Sequence, residues 1–267
     1  MAATTDGLRT PDDPRVPTED TYLHRVMTVL GAFRAEENAV GAAELARRTG
    51  LPKSTVHRIV QSLVEEGMLE RHGSEVRLGL RLFEIGQRVP RQRALRDAAR
   101  PYMSDLREAT RQTIHLAVLE GSEVVYVDIL VSPGGPSLPS RVGGRLPAHA
   151  TGVGKAILAF SPQETVRAVL EGELPRLSER SNVAPGLLAK ELAAIRRAGV
   201  AYDHEESGLG VVCAASPVIG LDGEVLGALS ISGWSNRMRL DQVSPAVHTA
   251  ALALSRTLGH RDADPPR

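Results

Sequence analysis

Between residues 41 and 66 hydrophobic positions recur at helical spacing in two short runs. In the first, Leu45 and Ala46 face inward and Gly50 stands where the helix must stop. A left-handed turn there needs a residue without a Cβ. Pro52 suits the first turn of the next helix, where its missing N–H costs nothing. Val56, Ile59, Val60, Leu63 and Val64 then form one stripe at three-four spacing. Ser54, His57, Arg58 and Gln61 occupy the opposite face. The pattern predicts a helix-turn-helix whose second helix is read from outside.

The flanking patterns extend this unit. Thr21 is placed to cap a helix with Leu23, Val26, Met27, Leu30 and Phe33 as its stripe. That helix is expected to complete a three-helix core and to contribute to a dimer contact. Gly67 ends the second helix of the pair, and residues 68–71 and 75–78 flank His72-Gly73-Ser74 as a β-hairpin wing. After Leu80, Leu82, Phe83 and Ile85 comes a polar, basic run interrupted by Pro90, so a linker helix is expected over 80–94.

Beyond the linker, a helix is predicted from Leu95 to Arg111 with Leu95, Ala98, Tyr102, Leu106 and Ala109 inward and Pro101 as a kink. Thr113–Leu119 and Glu123–Leu130 read as a hairpin, and apolar residues on both faces of the second strand place it centrally. Residues 132–140 are turn chemistry, Ser161-Pro162 opens a helix, and Leu187–Arg197 forms another, stopped by Gly199. A short strand, Val200–Tyr202, precedes a hairpin of Val211–Val218 with Val225–Ser232, and Leu240–Leu258 closes the chain as a helix. Helices and hairpins intermixed around an antiparallel sheet make the whole α+β. The expected divisions are 1–20 as a disordered tail, 21–79 as a winged helix-turn-helix, 80–94 as linker, 95–260 as a second domain and 261–267 as a tail.

The outer face of the second helix carries groove-reading chemistry. Arg58 can grip guanine and Gln61 adenine in bidentate fashion, with His57 on the same outer face. Lys53, Ser54 and Thr55 sit at the helix start, where hydroxyls and N–H groups suit phosphate oxygens. Arg71 and His72 lie near the tip of the wing. An ordinary helical hairpin with a solvated polar face is the alternative, and the wing counts against it.

The chain of 267 residues has no formal net charge, yet residues 21–94 hold twelve basic and eight acidic side chains. Phosphate contact is therefore expected to be confined to that segment. Residues 1–20 hold two basic and five acidic groups with several prolines. A single cysteine excludes a disulfide framework and a cysteine-based zinc site. No apolar run approaches a membrane span, so a cytoplasmic protein without cofactor or metal is expected.

In the second domain, GVGK (152–155) suggests a phosphate loop, but His149 and Ala156 stand where glycine and serine or threonine are needed, and that reading fails. What remains is a glycine turn at a helix start, suited to a carboxylate or simply to close packing. Along Val225–Ser232, Val225, Leu229 and Ile231 share one face; Leu226, Ala228, Ser230 and Ser232 share the other. Centring the turn on Leu221-Asp222 sets Cys213 opposite Ser230; centring it on Asp222-Gly223 sets it opposite Ser232. A polar-lined cavity or an inert core cysteine with serines bonded to nearby backbone both satisfy this pattern, and on these residues alone the inert reading stands ahead. Asp203 belongs to an acidic turn with Glu205 and Glu206. A Ser-His-Asp hydrolase built from His149, Ser230 or Ser232, and Asp203 is formally possible, but no nucleophile elbow surrounds either serine.

The segments LPKSTVHRIVQSLVEEGML (51–69), HATGVGKAILA (149–159), YDHEESGLGVVCAASPV (202–218) and GALSISG (227–233) together resemble the IclR-type bacterial transcription factors, over about residues 22 to 258. The resemblance implies a GAF-like effector domain and a homodimer, often a dimer of dimers, on palindromic double-stranded operator DNA. It further implies a non-enzymatic regulator, more often a repressor, whose effector is a small organic acid or aromatic metabolite. Carried over by position, the effector contacts would be Gly152 and Val153 through their N–H groups, with Asp203, Cys213, Ser230 and Ser232. Ala148 replaces a larger apolar residue, which is expected to widen the cavity. Trp234 stands where proline is frequent and is expected to flank the pocket.

Overall fold

A computed structural model describes residues 21–34 and 37–263, with side chains as far as residue 259. The expected tail 1–20 lies outside the described residues, as do residues 264–267. The chain divides into two compact units, Met1–Val89 and Pro90–Arg267.

In the first unit, helix α1 (Tyr22–Gly31) is capped by Thr21, whose hydroxyl accepts from the His24 N–H. Its buried residue is Val29, whereas Leu23 and Met27 of the expected stripe are 68% and 58% exposed. The stripe is thus rotated towards Val29, with Val26, Leu30 and Phe33 partly buried beside it. Helices α2 (Ala42–Thr49) and α3 (Lys53–Glu65) follow, with Gly50 left-handed at φ 69 between them. Strands β1 (Leu69–His72) and β2 (Glu75–Leu78) pair Leu69 with Leu78 and His72 with Glu75. A bridge from Val40 to Val76 ties the wing to the segment before α2. Val29, Leu45, Val56, Ile59, Leu69 and Val76 make the core.

The expected linker helix is broken. Helix α4 (Leu80–Gly86) ends at Gln87 and buries no residue. Pro90, which has no N–H to continue the ladder, opens α5 (Pro90–Thr110) instead. The second unit therefore begins at Pro90, before the expected residue 95. Helix α5 runs through Pro101, and Met103 rather than Ala109 completes its buried stripe.

The second unit is an antiparallel sheet in the order β5-β4-β3-β8-β7-β6. Its strands are β3 (Thr113–Glu120), β4 (Glu123–Leu130), β5 (Arg145–Pro147), β6 (Ala201–His204), β7 (Val211–Ile219) and β8 (Val225–Trp234). Helices α5 and α9 (Leu240–Ala263) pack on one face through Leu95, Met103, Leu229, Ile231 and Leu254. Residues 261–263 thus extend the last helix instead of belonging to a tail. Helices α6 (Gly152–Leu158), α7 (Gln163–Glu171) and α8 (Pro185–Ala198) cover the other face through Val153, Ile157, Val169 and Leu188.

Strand β4 is an interior strand but not at the middle of the sheet: it lies one place from the edge, between β3 and the short edge strand β5. Its two apolar faces reflect helices on both sides of the sheet, which burial patterns cannot distinguish from a central place. In the β7–β8 hairpin Cys213 pairs with Ser232, the second of the two possible registers. A bulge between Val218 and Ile219 shifts the pairing at the turn end. The strand alternation therefore inverts there: Leu226 joins the side of Leu229 and Ile231, and Val225 joins that of Ala228.

Candidate nucleic-acid interface and effector pocket

The stripe Val56, Ile59, Val60 and Leu63 seats α3 against the first core, and this orientation leaves Lys53, Ser54, His57, Arg58 and Gln61 exposed. Thr55 is half-buried. Gln61 lies 3.4 Å from Glu65 through its amide nitrogen, a weak tether one turn along the helix. Arg71 and His72 stand exposed beside Gly73, whose φ of 63 lets the wing turn.

Charge pairing separates two kinds of arginine in this unit. Arg48 binds Glu37 at 2.6 Å and Glu44 at 2.8 Å, Arg47 binds Glu44 at 2.7 Å, and Arg77 binds Glu70 at 2.8 Å. The Arg47 and Arg48 guanidiniums pull the Glu44 carboxyl down to about 2. By contrast, Lys53, Arg58 and Arg71 carry no ion pair among the described residues. Their charge remains available for phosphates or base edges.

In the second unit the six expected effector positions, Gly152, Val153, Asp203, Cys213, Ser230 and Ser232, line one enclosed space. The sheet assembles them: Asp203 neighbours Cys213, Cys213 neighbours Ser232, and Ser230 neighbours His115 on β3. The start of α6 lies directly above. A Cβ on Gly152 would sit 2.8 Å from the Cys213 sulfur, so this glycine is required by close packing against β7. Thr151 caps α6 through the Gly154 N–H, and the Gly152 and Val153 N–H groups have no hydrogen-bond partner among the described residues.

Residues that sequence reasoning missed complete the lining. His115 places Nδ1 3.4 Å from both Ser230 Oγ and Ser232 Oγ, and Nε2 2.9 Å from Ser140 Oγ. Tyr126 lies beside it, with ring centroids 5.3 Å apart. Leu138, Pro139 and Ser140 come from the turn-rich loop, and Ser207 from the acidic turn. One polar residue in the otherwise apolar run IHLAV (114–118) was the available signal for His115; the loop residues offered none.

Electrostatics follow from burial. The His115 imidazole is pulled down to about 4 and the Cys213 thiol is pushed up to about 12, each chiefly by desolvation. Asp203 is raised to about 6 by burial, although its carboxylate accepts from Ser207 Oγ at 2.5 Å and the Glu206 N–H at 2.6 Å. A protonated thiol and a weakly basic imidazole make poor nucleophilic machinery at neutral pH. The triad weighed from sequence does not assemble: His149 is bonded to the Pro175 carbonyl at 3.1 Å, and among the described residues no carboxylate orients His115.

Lys155 of the GVGK segment is wholly buried and holds Glu191 and Glu206 at 2.5 Å each. Burial pulls its ammonium down, but Glu206 and Glu191 outweigh that and hold it above the ordinary lysine value. The lysine therefore pins α6 to α8 and to the acidic turn. One expectation changes: Ala148 is buried in a 3-10 turn and does not line the pocket, whose free volume is only about 20 Å³. Trp234 flanks the pocket without lining it: it pairs with the lining residue Val211, and its indole N–H donates to the Gly134 carbonyl at 3.1 Å, on the loop that supplies Ser140. Among the described residues no cluster of His, Cys, Asp and Glu is arranged to hold a metal, and no helix is long and apolar enough to cross a membrane.

A winged helix-turn-helix with unpaired cations on its outer helix, followed by an α+β domain enclosing a polar site, defines a DNA-binding regulator with an effector domain. Comparison with known proteins gives the family. The profile of the IclR helix-turn-helix domain matches residues 23–73, and that of the bacterial transcriptional regulator IclR C-terminal domain matches residues 87–256. The chain is 34% identical to the transcriptional regulator KdgR of Escherichia coli, over 89% of this chain and 93% of that protein. It is 32% identical to the transcriptional repressor IclR of the same organism, over 83% of each. An IclR homologue from Microbacterium hydrocarbonoxydans, solved in complex with 4-hydroxybenzoate, superposes with a TM-score of 0.82 at 33% identity, covering 89% of this chain and 99% of that one. The chain belongs to the IclR family of bacterial transcriptional regulators.

Proposed function

We propose that this regulator binds palindromic operator DNA as a homodimer, acts as a repressor, and responds to a small carboxylic acid held between α6 and the sheet. The observation that carries the reading is the convergence of unpartnered donors on one buried space. The Gly152 and Val153 N–H groups and the Tyr126 hydroxyl have no partner among the described residues and face Ser230, Ser232 and Asp203. Donors in excess over acceptors suit a carboxylate, and the relative solved with 4-hydroxybenzoate supports an aromatic acid.

The present free volume is about that of one water, so the ligand must displace the loop bearing Leu138, Pro139 and Ser140. In this reading Arg58 and Gln61 contact bases, with His57 beside them. Lys53, Ser54, Thr55, Arg71 and His72 hold the phosphates. No catalysis is assigned, and the protein works in the cytoplasm.

The test combines DNA and ligand. A labelled promoter duplex is titrated with wild type and Arg58→Ala; the variant should lose about 1–3 kcal/mol of binding, as expected for a bidentate base contact. Small carboxylic acids are then titrated while Trp234 fluorescence is followed, since its indole is tied to the displaced loop. Equal DNA affinity of the two proteins would remove the base contact, and a silent indole across the acids would remove the pocket.

A further inference from the structure

The two central strands part at one end. Strand β3 continues to Glu120 and β8 starts at Val225, but their pairing stops at Ala117 with Ala228. The bulge that shifts β7 against β8 lies at the same end. Between the separated strand ends is a slot of about 440 Å³, within the roughly 300–1,000 Å³ usual for small-molecule sites. Its walls come from both layers: Leu95 of α5 and Leu258 of α9 from one side of the sheet, Ile157 of α6 from the other. Val118 and Leu226 complete an apolar interior.

The mouth is polar and carries Arg91, Glu120 and Glu224. Arg91 binds Glu224 at 2.9 Å, with the two side chains 62% and 55% exposed. A pair this exposed contributes little and exchanges readily. Glu120 has no ion pair among the described residues. Two carboxylates against one guanidinium leave the mouth net negative. Each strand end keeps its outer sheet partner, Val118, Leu119 and Glu120 on β4 and Val225 and Gly227 on β7, but the two ends are not paired with each other.

We propose that this slot is a second small-molecule site and that it takes an amphipathic organic cation. The apolar body lies between Leu95, Ile157 and Leu226. The ammonium stays at the mouth between Glu120 and Glu224, where it keeps most of its hydration and avoids the cost of burying a charge. A carboxylate of the same shape would meet two like charges. None of the residues lining this slot lines the effector pocket, so the two sites can fill independently. The slot touches Arg91 and Gln92 in the first turn of α5, the helix with which the second unit begins.

Equilibrium dialysis of the full-length protein tests this with three probes of similar shape: phenethylammonium, phenethyl alcohol and hydrocinnamate. Saturable binding of the ammonium is expected, stronger than of the alcohol, with the carboxylate weakest. Glu120→Gln with Glu224→Gln, both at the surface, should weaken the ammonium about tenfold and leave the alcohol unchanged. Leu226→Trp should fill the slot and remove both. Absence of saturable binding, preference for hydrocinnamate, or indifference of the ammonium to the paired glutamate change would overturn the proposal. So would binding that disappears as the protein self-associates, because the slot would then belong to a second copy.

Discussion

His115 and Asp203 face the same small space, and burial moves them in opposite directions, to about 4 and about 6. The lowered imidazole means that the unfolded chain takes up this proton first. His115 therefore removes stability as pH falls from 6.5 to about 4. The raised carboxyl means that the folded chain takes up its proton first, so Asp203 adds stability as pH falls from about 6 to 3.8. Each shift corresponds to about 3 kcal/mol, and the two nearly cancel in the wild type. Relative to wild type, His115→Gln should gain stability on acidification through that window, and Asp203→Asn should lose it. Urea denaturation at pH 7 and pH 4.5 reads both differences. Equal signs would show that burial is not what sets the two groups.

Lys155 shows how an element is held by one side chain. Its ammonium joins α6 to Glu191 of α8 and to Glu206 of the acidic turn, and one oxygen of Glu206 already has no partner among the described residues. Lys155→Met should cost about 3–5 kcal/mol, because it strands carboxylates whose desolvation is no longer compensated. Adding Glu206→Gln should recover part of that loss in thermal denaturation; a double variant as unstable as the single one would point to lost packing instead. The sequence showed this lysine only as a failed phosphate loop. Local spacing makes Leu45, Gly50 and the α3 stripe legible, because helix periodicity and a left-handed turn are short-range signals. Strand order, the bulge near Ile219 and the partners of Lys155 depend on residues far apart in the chain. That Gly152, Val153, Asp203, Cys213, Ser230 and Ser232 line one space was suggested by family resemblance, whereas Ser140 and Ser207 reach it from loops whose course no periodicity describes.

The first unit leaves Tyr22, Leu23 and Met27 of α1 and Leu80, Phe83 and Ile85 of α4 exposed, although all are large and apolar. Helix α4 has no buried residue, and the described residues of its unit leave Leu80, Phe83 and Ile85 uncovered. Covering such surface is what a homodimer contact provides. Two recognition helices brought together in this way would read two half-sites of a palindrome, with the second contact made at high effective concentration. Met27→Glu with Phe83→Glu places charges in that surface without touching the core. Sedimentation should show the wild type as a dimer and the variant as a monomer. Affinity for the palindrome should fall by roughly a hundredfold or more, the usual gain from joining two binding modules. Affinity for a duplex carrying one half-site should be unchanged, because Lys53, Arg58 and Arg71 remain in place. A variant that stays dimeric would move the contact elsewhere, and a monomer that keeps full affinity for the palindrome would show that dimerisation does not supply it. If the proposed dimer has two arrangements, coupling to a small-molecule effector is limited by how differently that molecule binds the two, since equal affinity for both shifts neither.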